Sequence, residues 1–190
     1  MTTAGISRPG VAKISAFPTL DAVHEVGHFL AAIACGHRCV AAAVNIDGME
    51  CLDSGKPIVG KFIGDFNVYP NNTPQERAVM SVAGACAEAA VALKAGKTII
   101  PSQIISWISP SDWRTSGLTG PEDPGLGDAI EAAFRMFAQP GAMDMLISLA
   151  WQLDQQSCIL TADAAREWLG QEPDGNLVMP GKAVAEVMGA

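Results

Sequence analysis

The sequence predicts an α+β fold that is mostly α-helical, with a small β-sheet and a C-terminal helical bundle. Three observations lead there. Two alanine-rich stretches, 20–35 and 74–95, carry apolar residues at helical spacing, with capping residues ahead of them and glycine behind. Between them, β-branched and aromatic residues gather at 38–46 and 57–69. Beyond residue 124 the pattern is helical again.

Taken in order, residues 1–18 contain Pro9, Gly10 and Pro18 without a clear period and read as an irregular N-terminal arm, leaving 19–190 as one domain. The first helix runs from Leu20 to Cys35, begun by Thr19 or Asp21 and stopped by Gly36. Strands are expected within Arg38–Ile46 and Pro57–Tyr69, with turns at Asp47-Gly48 and Ser54-Gly55, in a sheet of two to four strands. The second helix opens on a Thr73-x-x-Glu76 capping box with Pro74 at its first position, and Gly96 ends it. A turn at Ser102–Ile108 leads into a Gly/Pro/Ser-rich stretch from Ser109. Helices follow at Leu126–Ala138, Gly141–Ser157 and Thr161–Leu169, with a short one from Lys182.

Composition narrows the function classes. With 49% hydrophobic and 17% charged residues the chain is built for a packed interior rather than disorder. A net charge of -8 opposes binding to nucleic acid or anionic lipid, since an acidic surface cannot replace phosphate counterions. No run approaches the roughly 18 apolar residues that a membrane span requires, and the first twenty residues lack the apolar core of a secretory leader. A cytoplasmic chain is expected. The five cysteines are an odd number with no Cys-x-x-Cys pair, so neither a disulfide framework nor a zinc ribbon is indicated. Cys35 and Cys39, despite His37 between them, read as small buried side chains near a helix end.

All three histidines fall within "TLDAVHEVGHFLAAIACGHRC", and His24-Glu25-Val26-Gly27-His28 places two of them four apart. An α-helix turns 100° per residue, so His24 and His28 lie on one face, one turn apart, and can offer two imidazole nitrogens to one ion. Zinc takes such nitrogens and keeps a position for water in catalytic sites, where Glu25 can serve as general base. The alternative is two polar histidines on a partly exposed helix face. A His-Glu-x-x-His string arises by chance in fewer than about one chain of this length in a hundred, and here it falls inside a well-capped helix.

A catalytic ion needs a third protein ligand. The extended motif with a glycine at position 31 and a third histidine at 34 is ruled out by Ala31 and Ala34. His37 lies too far along the helix axis. Glu50, Glu88, Asp112, Asp123 and Asp128 remain as acidic candidates.

These residues resemble the peptidase domain of the FtsH-type metalloproteases. "HEVGHFLAAIACGHRCVAAAVNI" is similar to that family's motif helix, glycine turn and following edge strand, and "SVAGACAEAAVALKAG" to its next helix with Ala-Gly and Ala-Glu steps. "PSDWRTS" resembles the Asn-Asp-Leu segment that bears the family's third zinc ligand, which implies Asp112 here. The likeness spans about residues 20 to 170 and is loose after Gly96. Because "DAIEAAFRMF" resembles the helix that follows the ligand directly in the family, Asp128 is a rival; Glu88 is a further one, read first as a carboxylate partner of a ligand histidine or a polar contact within its helix. Asp112 also reads as a helix-start residue in Ser109-Pro110-Ser111-Asp112. Trp107 and Trp113 flank it as pocket walls or core residues.

The resemblance implies a small soluble zinc endopeptidase, a single metallopeptidase-like domain over 19–190, with His24, His28 and Asp112 as metal ligands and Glu25 as the catalytic base. Its substrate would be a polypeptide paired with the strand at Arg38–Ile46. The 190 residues contain no Walker-type phosphate loop or ATPase module, so clients are expected to arrive unstructured or through a separate partner. A regulatory or binding protein on a metal-bound peptidase fold is the alternative, and an intact Glu25 counts against it.

Overall fold

The computed structural model describes residues 17–45, 60–63 and 72–170. Seven helices and three strands are formed there: α1 (Leu20–Ala34), β1 (Ala41–Val44), β2 (Gly60–Ile63), α2 (Pro74–Lys94), α3 (Pro101–Trp107), α4 (Pro110–Ser116), α5 (Pro124–Phe137), α6 (Ala142–Gln156), β3 (Cys158–Leu160) and α7 (Ala162–Leu169). The class is α+β with helices dominant, as the sequence predicts.

Helix α1 starts where Thr19 accepts a hydrogen bond from the Ala22 amide. It stops because Gly36 takes φ +87°, letting the Gly36 amide reach the Ile33 carbonyl and the His37 amide the Ala32 carbonyl. That paired closure is a Schellman motif, and only glycine enters it without steric cost. The Thr73–Glu76 capping box of α2 is present in both directions, with Pro74 at the first position.

Helix α2 is the axis of the molecule. Its residues from Ala78 to Ala92 are buried on nearly every side, and it packs against α1, α5, α4 and α3. Alanine suits such a helix because neighbouring backbones can come close. At the α1 crossing a Cβ on Gly27 would lie 2.6 Å from the Ala83 carbonyl oxygen and 2.7 Å from the Ala87 Cβ. No larger residue fits at position 27 unless the two helices part.

The sheet is antiparallel in the order β2-β1-β3. Ala42 pairs with Phe62 on one side and Ile159 on the other. The face bearing Val40, Ala42, Val44 and Ile159 joins the main core with α1, α2, α5 and α6. The opposite face, with Cys39, Ala41, Ala43, Cys158 and Leu160, forms a second small core with Ala164 and Ala165 of α7. Being buried on both faces is what permits a strand of three alanines and one valine.

Several expectations change. β1 is not an edge strand: β2 and β3 occupy both of its sides, so an extended substrate has no free edge there. β3 is an added strand, lodged between α6 and α7. The expected turn at 102–108 is helix α3, and the irregular stretch from Ser109 contains α4 and the start of α5. Each of α3, α4 and α5 begins with proline at its N-terminus, where the missing amide costs nothing and the fixed φ favours the helix. The N-terminal arm apart from residues 17 and 18, both expected turns, Glu50, Cys51 and the helix from Lys182 lie outside the described residues. No helix among the described residues is long and apolar enough to cross a membrane.

Candidate metal centre

Helices α1 and α2 run antiparallel, and the ligand face of α1 looks onto a strip of α2 in which Met80, Gly84 and Glu88 are four apart. Opposite Glu88, His24 donates from Nδ1 to Oε1 at 2.6 Å. Opposite Met80, His28 donates from Nδ1 to the backbone carbonyl at 2.7 Å. Carboxylate and carbonyl oxygens only accept, so both Nδ1 atoms carry protons and both Nε2 atoms are the ones left to bind an ion. Between them sits Gly84, where a Cβ would come within 2.5 Å of His24 Nε2 and 2.6 Å of His28 Nε2.

Helix α4 supplies the third group. Asp112 Oδ2 lies 3.5 Å from His24 Nε2, and its Oδ1 lies 3.6 Å from His28 Nε2. Those separations are long for hydrogen bonds, yet a tetrahedral ion about 2.0 to 2.1 Å from each ligand sets neighbouring ligand atoms roughly 3.3 to 3.4 Å apart. Ligand atoms of His24, His28 and Asp112 all fall within 4.8 Å of one another, the one such group among the described residues. Two imidazole nitrogens and a carboxylate form a donor set that fits a first-row divalent transition ion, zinc among them.

The other acidic candidates among the described residues have different roles or positions. Glu88 orients His24. Asp123 caps α5, accepting from the Gly125 amide at 2.9 Å, and Asp128 is exposed on α5. The 35–39 segment gathers no ion site either: His37 Nε2 accepts from Asn72 Nδ2 at 2.8 Å, and Cys39 is buried with its Sγ donating to Glu167 Oε2 at 3.1 Å. Trp107 and Trp113 pack against the main core.

Glu25 follows His24 on α1. Its carboxylate lies under β2, where a Cβ on Gly60 would sit 2.6 Å from Oε1. Two residues on, the Phe62 ring lies 5.8 Å from that of His28. β2 thus covers one side of the site with a glycine and an aromatic residue.

The ionisable groups of the cluster act strongly on one another. Burial opposes a charge on His24, but the carboxylates of Asp112, Glu88 and Glu25 outweigh it and raise its pKa from 6.5 to about 10. Burial likewise opposes a charge on Asp112, but the facing imidazoles of His28 and His24 and the contact with Ser109 hold its carboxyl well below the usual range. Glu25 is pushed up from 4.5 to about 7, chiefly by burial, against the pull of both histidines. A proton on His24 therefore does in part what a bound cation would do.

This has a measurable sign. Stability from charged His24 is fully present below about pH 6.5 and is lost as pH rises toward about 10. Glu25 also holds its proton more tightly in the folded state, so it subtracts stability as pH rises from 4.5 through about 7. Asp112 acts oppositely, losing its contribution as pH falls below its ordinary 3.8. The melting temperature of chelator-treated protein is expected to fall between about pH 5 and about pH 9, with zinc offsetting the decline. A flat or rising profile would contradict this.

Two glycines that shape the site carry no motif in the sequence. Gly84 is a glycine in the middle of a long helix, which costs about 1 kcal/mol against alanine and so signals close packing. Gly60 lies in a stretch whose β pattern conceals it. Compared with known proteins, the chain matches no family model, no curated protein and no solved structure.

Proposed function

We propose that this chain is a zinc-dependent endopeptidase with an FtsH-type peptidase domain. The observation that carries the reading is the convergence of His24 Nε2, His28 Nε2 and the Asp112 carboxylate, with Glu25 beside them on α1. When bound, zinc supplies Lewis-acid activation of a water molecule and of the scissile carbonyl.

The chain's own residues do the rest. Glu88 and the Met80 carbonyl hold Nδ1 of both imidazoles and leave Nε2 facing inward, where an ion would displace the proton that His24 otherwise carries. Glu25 accepts a proton from the attacking water and returns it to the departing amine. Its pKa near 7 in the metal-free site reflects burial, which also favours proton transfer at neutral pH. Because β1 is enclosed, the substrate backbone is assigned to β2, the strand that touches both Glu25 and His28. Main-chain pairing of this kind tolerates many sequences.

Metal content and casein cleavage test the proposal. Purified protein is expected to hold about one zinc per chain, to lose it in His28→Ala and Asp112→Ala, and to cleave casein only when loaded. Zinc without cleavage would favour a regulatory metal-binding protein. Absence of zinc after reconstitution would sink the proposal altogether.

A further inference from the structure

Asp112 is the third residue of α4, and the same carboxylate that faces the histidines also completes the cap of its own helix. The Ser109 amide donates to Asp112 Oδ2 at 3.2 Å, and the Asp112 amide donates to Ser109 Oγ at 3.2 Å. Ser109 Oγ is fixed in turn by the Ser111 hydroxyl at 2.7 Å. Oδ2 is the oxygen 3.5 Å from His24 Nε2, while Oδ1 faces His28.

We infer that Ser109 is a positioning residue for the metal centre, holding the Asp112 carboxylate in the orientation that lets its two oxygens face the two histidines. This rests on the reading that His24, His28 and Asp112 bind an ion. A carboxylate has about four lone-pair directions, so Oδ2 can accept from Ser109 and still bind a metal. With the amide bond fixing one oxygen, rotation about the side chain is restricted before an ion arrives. Such orienting contacts typically change metal affinity by about 10- to 100-fold. The helix-start reading of Asp112 and its ligand reading are therefore two uses of one geometry.

The test is zinc affinity, by competition with a chromophoric chelator, for wild type, Ser109→Ala, Ser109→Thr and Ser109→Pro. Alanine removes the Oγ acceptor and keeps the amide. Proline removes both, and the φ of -68° at position 109 admits it without strain. Expected is a loss of about 10-fold for alanine, a larger loss for proline and recovery with threonine. The visible spectrum of the cobalt-substituted protein should shift most in the proline variant, because the amide that holds the carboxylate is gone. Wild-type affinity and spectrum in both alanine and proline variants would overturn the inference, as would a lowered melting temperature with affinity unchanged. If wild type itself takes up no zinc, the ion reading fails and this inference falls with it.

Discussion

Gly84→Ala is expected to abolish metal uptake while leaving α2 helical. The added methyl would lie 2.5 Å from His24 Nε2 and 2.6 Å from His28 Nε2, the two atoms that must meet the ion. No rotation of the methyl relieves this, since a Cβ is fixed by the backbone, so both rings must swing away and abandon Glu88 and the Met80 carbonyl. Alanine gains about 1 kcal/mol over glycine as a helix former. The metal-free protein should therefore keep its circular dichroism, whereas zinc affinity should fall by more than about 100-fold, beyond what loss of one orienting contact produces. A variant that still bound one zinc per chain would place the ion away from the His24–His28 pair.

Glu25→Gln is expected to separate chemistry from metal binding. Glutamine keeps the shape of the side chain but cannot accept the water's proton, and a positioned general base contributes about 10²- to 10⁴-fold to rate. Cleavage should drop by that amount with zinc content unchanged, because Glu25 is not among the three converging groups. Loss of zinc would instead make Glu25 a ligand, and unchanged cleavage would remove it from the mechanism. Casein turnover and metal content, measured on the same preparation, distinguish these results.

The helices with strong local chemistry were legible in advance: Thr19 and Gly36 bound α1, and Thr73, Glu76 and Gly96 bound α2. The short helices are harder to read. Helices α3 and α4 have only seven residues each, too few to show a helical period, and Pro101 and Pro110 occupy the one helical position where a missing amide is harmless. β3 escaped because three residues cannot show a period. Its partners, Ala41 to Ala43, are distant in sequence. Of the site, the histidines and Glu25 are local and follow from spacing alone. Asp112 came from resemblance, and the helix face of Met80, Gly84 and Glu88 became meaningful only once α1 was laid antiparallel across it.

The position of α4 has a topological consequence. A seven-residue helix has too few internal hydrogen bonds to offset nucleation and persists through what it docks against. Its ligand is joined to those of α1 by a loop of chain that contains β1, β2, α2 and α3. The α1–α2 packing has already closed most of that loop, and closure entropy grows only slowly with length. An ion at the site would therefore act less as a staple for the whole fold than as a clasp on one short segment, making site occupancy and the order of α4 a single equilibrium.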